Sequence, residues 1–275
     1  MVDFPDFKGQ YRIAAGSSGS GTLLVRDMNG RMFRWDEESS TFTLIRLPLT
    51  PHTILNGFGS SDVFFWIAGR EGVYRFPWLK DENGIRPGTP ECILPDPIVQ
   101  CGQDDGQVYV VSSEGLLYHL DVDAGRSSPI MDIQDEIRRR GHLTGVVEMQ
   151  GILFLSFMSS GVLKYHREDG YWKGEDIGLR VGVFRICKDR LQNILWIASD
   201  GQGLFQYWDS EYSVRQFFST DFHSGIGQPV RSLFKDPYGA LWIGTKGSGL
   251  LRVDSAGESL LFTAENSALR DNSVY

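Results

Sequence analysis

Two segments of this chain have the spacing of a ligand-binding loop. Residues 16–22 read Gly-Ser-Ser-Gly-Ser-Gly-Thr, which resembles the glycine spacing of a phosphate-binding loop. That loop needs a Lys before its Ser or Thr and a helix after it, whereas this segment has no Lys and residues 22–25 read as a strand. The alternating Asp121 and Asp123 lack the remaining ligands and the distal Glu of a calcium loop. We therefore predict a hairpin loop at 16–22, and neither a metal site nor a cofactor.

Residues that could carry out catalysis are scattered along the chain. The five histidines are never paired at metal-ligand spacing, and no Gly-x-Ser-x-Gly nucleophile motif is present. Four carboxylates from separate segments could converge only if the fold brings them to one channel, and solvation at the surface is the simpler interpretation. They are Asp104, Asp105, Glu148 and Asp200. The sequence therefore predicts no catalytic residue.

Charge and composition exclude several classes of partner. The chain has 275 residues and a net charge of −8, so we expect no binding of nucleic acid through phosphate contacts. Its basic cluster, Arg138 to Arg140, follows several acidic residues and is interpreted as a solvated loop. No apolar run is long enough to cross a bilayer and the chain contains no signal peptide, so we expect no membrane contact by this segment. The three cysteines cannot form a complete internal disulfide framework.

A repeat of 42 to 46 residues extends along the chain. The segments 196–204 and 242–250 match almost position for position, from a Trp through a Gly-x-Gly to a Leu. Each copy has an anchor that we expect to be buried at an equivalent place in the core. The anchors are Leu24, Trp66, Tyr109, Phe154, Trp196 and Trp242. Replacing Trp242 by Ala would then cost about 3–5 kcal/mol of stability.

Each repeat reads as four short strands separated by glycine turns, which is typical of β-propeller blades. The sequence therefore predicts an all-β fold, a propeller with six visible four-stranded blades in one domain. The expected blades are 9–48, 49–96, 97–135, 142–178, 181–220 and 228–265. Residues 266–275 are interpreted as the start of a further blade. A β-sandwich or barrel is the alternative, but neither predicts a repeating sequence.

Exposed tryptophans would suit a carbohydrate ligand, because sugars stack on aromatic faces. Trp66, Trp196 and Trp242 occupy the repeated core position, where a structural role is the simpler interpretation. Trp172 is the best exposed candidate, since residues 169–174 read as a loop.

We expect ligand-binding residues on the turns between second and third strands and on the connections between blades, which should share one face. Besides Trp172, the candidates are Arg70, Arg140, His142, Asp200, Gln202, His223 and Lys246.

The units at 189–204 and 236–250 closely resemble two-component regulator propeller repeats. This resemblance is specific in the last two units and weak before residue 50. It implies a seven-bladed ring in the periplasmic sensor region of a hybrid two-component system from Bacteroidetes-type bacteria. It also implies sensing of oligosaccharides released from glycans. The residues that this chain shares with the repeats are structural, so the resemblance implies no ligand-binding residue.

These observations predict a non-catalytic, periplasmic sensor propeller that binds an oligosaccharide. Two other classes stay open: a propeller enzyme, such as a lyase or glycan hydrolase, and a protein-interaction scaffold. If the parent ring has seven blades, the six visible ones should leave exposed edges. We therefore expect self-association, or association with missing domains of the parent.

Overall fold

The computed structural model describes residues 11–15, 23–27, 31–36, 41–47, 55–81, 84–104, 106–189, 191–218, 229–236 and 238–275. The described strands form six antiparallel sheets. The chain forms two compact units, Met1–Gln134 and Asp135–Tyr275, and each unit contains three of the sheets. The predicted fold class, an all-β propeller of six blades, is confirmed.

The first unit contains sheets 1 to 3. Sheet 1 has β1 (Tyr11–Ala15), β2 (Leu23–Asp27), β3 (Met32–Asp36) and β4 (Thr41–Ile45). Sheet 2 has β5 (Leu55–Ser60), β6 (Phe64–Gly69), β7 (Gly72–Asp81), β8 (Gly84–Pro87) and β9 (Glu91–Leu94). Sheet 3 has β10 (Ile98–Asp104), β11 (Gln107–Ser112), β12 (Leu116–Asp121) and β13 (Arg126–Asp132). Sheet 2 thus adds a strand to the four-stranded plan: β7 is long enough to pair with both β8 and β9.

The second unit begins with a short helix and contains sheets 4 to 6. The helix is α1 (Gln134–Arg140), whose first residue belongs to the first unit. Sheet 4 has β14 (Leu143–Met149), β15 (Ile152–Phe157), β16 (Val162–Glu168) and β17 (Tyr171–Asp176). Sheet 5 has β18 (Val183–Asp189), β19 (Ile194–Ser199), β20 (Leu204–Trp208) and β21 (Ser213–Phe218). Sheet 6 has β22 (Val230–Lys235), β23 (Leu241–Thr245), β24 (Leu250–Val253) and β25 (Ser259–Phe262).

A bulge recurs near the start of the first strand in sheets 2 to 6. The register shifts lie at 55/57, 98/100, 143/145, 183/185 and 230/232. An extra residue at this point increases the local twist of the strand. The repetition of the bulge shows that the blades share backbone geometry as well as sequence.

Packing between successive sheets depends on the anchor of each second strand. Trp66 is 2% exposed and packs among residues of sheet 3, such as Ile98 and Val110. Phe154 is fully buried in a cluster with residues of sheet 5, and Trp196, 4% exposed, lies in a cluster with residues of sheet 6. Leu24 and Tyr109 are also buried. At these five positions the anchors are buried, as the repeat predicts.

Trp242 differs from the other anchors, and the expectation that it is buried was wrong. Its side chain is half-buried, because in the second unit no described strand packs on the face of sheet 6 that carries it. The indole instead stacks on Phe262, with ring centroids 5.9 Å apart, and its Nε1 donates to Asp236 at 2.9 Å. Arg252 lies over the ring at 5.8 Å. Trp242 is therefore held by its own sheet.

The last residues of the chain run beside the turn that follows β23. Gly249 N donates to Asn272 O at 2.7 Å, and Val274 N donates to Thr245 O at 2.8 Å. The first of these bonds is the counterpart of Gly161 N to Val181 O, also 2.7 Å, which lies just before β18. The interpretation of 266–275 as the start of another blade stays a prediction.

The basic cluster at Arg138 to Arg140 lies in α1, so its prediction as a loop was wrong. Acidic residues occupy the first turn of the helix and arginines the last, which complements the helix dipole. Asp132 accepts a hydrogen bond from Gln134 N at 2.8 Å, which satisfies a backbone donor at the start of the helix. Local charge order thus stabilises a short helix where composition alone indicated a solvated loop.

A buried ion pair joins sheets 5 and 6. Asp189 is 1% exposed, and its Oδ2 lies 2.6 Å from Lys235 Nζ. Its Oδ1 accepts hydrogen bonds from Leu191 N and Gln192 N. Burial alone would raise the pKa of Asp189, but Lys235 and the two backbone donors lower it below its ordinary value. The ionised carboxylate is therefore the form that the fold stabilises.

We expect Trp196→Ala to destabilise the protein by about 3–5 kcal/mol, as deletions of large buried aromatics do. Trp242→Ala should cost less, about 2 kcal/mol, because less apolar surface is buried there. Guanidinium unfolding of both variants, followed by circular dichroism, measures the difference. Equal losses would contradict the packing described for sheets 5 and 6.

We expect Asp189→Asn to cost about 3 kcal/mol at neutral pH, because Lys235 loses its buried partner. The lowered pKa means that this contribution is present above the unfolded-state value of about 3.9 and is lost as the pH falls through the folded-state value. The difference in the free energy of unfolding between wild type and variant should therefore become smaller below about pH 4. Urea unfolding between pH 3 and 7 measures this difference, and Glu168→Gln, in an exposed ion pair with Lys173, is the matched control. A difference independent of pH would contradict the assignment.

Candidate functional site

In both units, loops of two kinds meet at one edge of the sheets, which we call the connection edge. In sheets 3 to 6, the turn after the second strand donates a backbone hydrogen bond to the segment that precedes the first strand of the same sheet. These bonds run from Ser113 N to Pro97 O, Met158 N to His142 O, Asp200 N to Gly182 O and Lys246 N to Pro229 O, all at 2.8–3.0 Å. The connection edge is therefore built from loops that are fixed to one another.

Glycine is required where the same turns approach the end of the last strand of the sheet or the segment just after it. Gly72, Gly161 and Gly249 all have positive φ, and a Cβ at each would collide with a backbone carbonyl. The carbonyls belong to Leu94, Leu179 and Phe262. A larger residue would have to push the chains apart at these points. The close contact at each glycine therefore fixes the backbone position of the residues just before it.

Four of the predicted ligand residues lie on this edge with exposed, unpaired side chains. Arg70 occupies the turn between β6 and β7, and Lys246 the turn between β23 and β24. Asp200 lies in the turn between β19 and β20, and His142 precedes β14. None of these four side chains forms a hydrogen bond or ion pair with a described residue. They are available to a ligand.

Gln202 and Arg140 are more constrained. Gln202 is exposed, and its backbone joins the turn through bonds with Ser199 Oγ and Gln216 Nε2. The Arg140 guanidinium bonds Glu136 at 3.1 Å and Asp176 at 2.9 Å and donates to Ser160 O. Arg140 thus fixes α1 to sheet 4, and a ligand would have to compete with three partners for it.

Trp172 does not lie in a loop, so that prediction was wrong. Only residues 169–170 form a turn, and Trp172 belongs to β17, where it pairs with Arg167 across the hairpin. The Arg167 guanidinium lies over the half-buried indole, 4.9 Å from the ring centroid. The turn of this hairpin is at the other edge of the sheet, away from the connection edge. His223 lies outside the described residues, as do Asp105 and the segment 16–22.

The carboxylates proposed to line a common channel do not converge in the second unit. Glu148 lies near the hairpin between β14 and β15 and accepts from Gly151 N at 2.6 Å. Asp200 lies at the connection edge, at the opposite end of the strands. Asp104 ends β10 in the first unit. Among the described residues, no group of three or more His, Cys, Asp or Glu side chains could hold a metal ion.

A cleft of about 440 Å³ opens at the connection edge between sheets 2 and 3. Arg70 is its charged residue, and the Asn56 amide spans it by donating to Ile98 O at 2.6 Å. The other lining residues are Pro97, Ile98, Val99 and Ser113. A cation beside an apolar floor can hold a ligand with both a polar and an apolar side.

A second buried charge cluster, which the sequence does not reveal, joins sheets 4 and 5. Lys164 Nζ lies 3.1 Å from Asp209 Oδ1 and 4.1 Å from the centroid of the Tyr212 ring. Burial would lower the pKa of Lys164, but Asp209 and Tyr207 raise it above its ordinary value. Burial and Asp209 raise the pKa of Tyr207 to about 12. These partners satisfy one another, so we interpret the cluster as structural.

The fold and these edges define a class, the repeat-built β-propeller that presents loops on one edge. Residues 224–247 match the family model described as "Two component regulator propeller". This match lies in the repeat of sheet 6 and confirms the resemblance recognised from the sequence. No curated protein sequence matches the chain.

Three solved structures illustrate the fold. The extracellular domain of BT4673 from B. thetaiotaomicron, described as a one-component system, has a TM-score of 0.63 and 16% identity, covering 99% of this chain and 37% of that one. The extracellular domain of BT3049 from the same organism, described as a hybrid two-component system, has a TM-score of 0.63 and 15% identity, covering 97% and 36%. YCF48 bound to D1 peptide has a TM-score of 0.62 and 10% identity, covering 98% and 90%. The chain thus spans little more than a third of the two bacterial domains.

No helix among the described residues is long and apolar enough to span a membrane.

Proposed function

We propose that this chain is a ligand-binding sensor propeller, without catalytic activity, from the periplasmic region of a bacterial hybrid two-component protein. The observation that carries the proposal is the set of exposed polar side chains on the connection edge of both units that pair with no described residue. They are Arg70, His142, Asp200 and Lys246. Loops held by a rigid sheet commonly supply binding residues. The family match and the likeness to extracellular domains of bacterial signalling proteins support this assignment.

We propose oligosaccharides derived from glycans as the ligand class. Cationic, anionic and amide side chains all occur on the connection edge, which suits a ligand with many hydroxyl groups. Binding can signal only if the ligand favours one arrangement of the parent over another, because equal affinity for both shifts nothing.

An enzymatic function has less support. A general acid in a propeller hydrolase or lyase would need a carboxyl group with a raised pKa. Burial would raise the pKa of Asp236, but hydrogen bonds from Trp242, Ala240 and Tyr238 lower it. Lys235 and two backbone N–H donors likewise lower the pKa of Asp189. Both carboxylates serve as structural acceptors.

A protein-interaction scaffold is the second candidate, and the open face of sheet 6 favours it. Phe234, Trp242, Arg252 and Leu260 lie side by side across the four strands, and Phe234 and Leu260 are 58% and 54% exposed. Equivalent faces of sheets 4 and 5 are covered by the next sheet. We propose that a second copy of this chain or a missing domain of the parent covers this face.

We expect an oligosaccharide ligand to raise the melting temperature of the 275-residue chain by several degrees. A ligand at 100 times its Kd stabilises a protein by about 2.7 kcal/mol. Differential scanning fluorimetry against partial digests of plant and host glycans provides the measurement. Arg70→Ala and Lys246→Ala should reduce the shift, whereas Arg138→Ala, on the exposed side of α1, should not. A complete glycan panel that leaves the melting temperature unchanged would contradict the proposal.

We expect the chain to self-associate through the open face of sheet 6. Phe234→Ser should shift light-scattering mass toward the monomer, because it removes an exposed aromatic from that face. Tyr238→Ser is the matched control, since Tyr238 is 91% exposed but lies in the adjacent turn. A wild-type chain that is monomeric at high concentration would exclude a second copy as the partner.

A further inference from the structure

A second cleft lies between sheets 2 and 3, at the edge opposite to the connection edge. We call this opposite edge, where first strands turn into second strands and third into fourth, the hairpin edge. The cleft has a volume of about 290 Å³, near the lower end of the range for small-molecule sites. Its polar residues come from three separate turns and strands. They include Ser61 of sheet 2, and Gln107, His119, Asp121 and Asp123 of sheet 3.

Hydrogen bonds hold these side chains in place before any ligand binds. Gln107 Oε1 and His119 Nε2 are joined at 2.7 Å, which leaves the Gln107 amide N–H groups directed elsewhere. Ser61 Oγ donates to Asp123 Oδ1 at 2.6 Å, which ties the two sheets together. Asp121 Oδ1 accepts from Ala124 N at 2.9 Å. A site whose groups are already oriented loses little entropy on binding.

Arg75 fixes the wall of the cleft from behind. Its Nη1 donates to Val122 O at 2.8 Å and to Asp123 O at 2.6 Å, although Arg75 itself belongs to β7 of sheet 2. The guanidinium also bonds Glu91 and lies 4.3 Å from the centroid of the Phe64 ring. The turn that carries Asp123 is therefore attached to the neighbouring sheet.

The charge of the cleft selects among ligands. Asp121 and Asp123 contribute two carboxylates, and no Lys or Arg is among the lining residues, but the Arg126 guanidinium beside the cleft lies 3.5 Å from Asp121 Oδ2. The backbone hydrogen bond from Ala124 and the Arg126 side chain lower the pKa of Asp121, so its carboxylate stays ionised near neutral pH. The lining therefore offers no cation to an anionic ligand, whereas hydroxyl groups can donate to carboxylates and accept from amides. The buried Trp66 lines the cleft but is too little exposed to offer a face for stacking.

We propose that the hairpin-edge cleft between sheets 2 and 3 binds one residue of a neutral saccharide, with Asp121 and Gln107 as the principal hydrogen-bonding groups. This inference rests on the proposed sensor function and deepens it, because it names a site and a ligand charge. It also places that site away from Arg70, at the opposite end of the same strands. The rest of an oligosaccharide would extend from the cleft into solvent.

Isothermal titration calorimetry of the 275-residue chain tests the proposal with cellobiose, maltose, laminaribiose, xylobiose and the anionic digalacturonate. We expect at least one neutral disaccharide to bind more tightly than digalacturonate. Asp121→Asn and Gln107→Ala should each weaken that binding at least about tenfold, while Arg138→Ala, on the exposed side of α1, should leave it unchanged. The Asn variant keeps an oxygen acceptor for Ala124 N, so its fold is preserved, and an unchanged melting temperature checks this.

Two other outcomes separate the inference from the function on which it rests. Binding that is lost in Arg70→Ala but retained in Asp121→Asn and Gln107→Ala would overturn the hairpin-edge site and leave the sensor function standing. Preferential binding of digalacturonate would likewise overturn the site, because the cleft lacks a cation. If none of the saccharides binds the wild-type chain, both the inference and the proposed ligand class are contradicted.

Discussion

Within each unit, burial of one face of a sheet against the next sheet is the interaction on which the rest of the structure depends. A four-stranded antiparallel sheet of this size has two apolar faces and cannot cover both by itself. In sheets 2, 4 and 5 the anchor of the second strand reaches the following sheet, and it is almost fully buried there. Both clefts lie between two sheets that pack in this way. Where no described strand of the same unit covers the face, as at Trp242, the contacts that hold the anchor come from its own sheet.

The sequence predicted the features that recur and missed those that occur once. All six anchors lie in second strands. They could be identified because a core position that recurs in every blade gives a periodic pattern of apolar residues in the sequence. The hairpin of β7 and β8 occurs in one repeat, so the periodicity of the sequence does not predict it. Trp172 was expected in a loop because glycine and charged residues surround it, but cross-strand pairing with Arg167 extends the hairpin. At α1, a helix forms where a loop was expected, because the acidic residues precede the arginines and so complement the helix dipole.

The candidate binding surfaces show a similar division. The connection edge could be anticipated, since turns after second strands and links between blades must lie at the same end of the strands. The hairpin-edge cleft could not, because Ser61, Gln107 and Asp123 meet only through long-range contacts between two sheets. Arg75 gives no sequence signal either. Its role depends on carbonyl groups of a turn 47 and 48 residues away.

The close approach of Gly72, Gly161 and Gly249 to neighbouring carbonyls has a consequence for how this scaffold can diversify. These glycines cannot be exchanged without moving the backbone, and the second strands before them are buried. Substitution is therefore confined to the short stretch between strand and glycine, such as Arg70 and Glu71 or Ser159 and Ser160. A mutant library restricted to those stretches would change the recognition surface in several sheets while leaving the folding determinants intact. Duplicated repeats could acquire new specificities by the same route, one turn at a time.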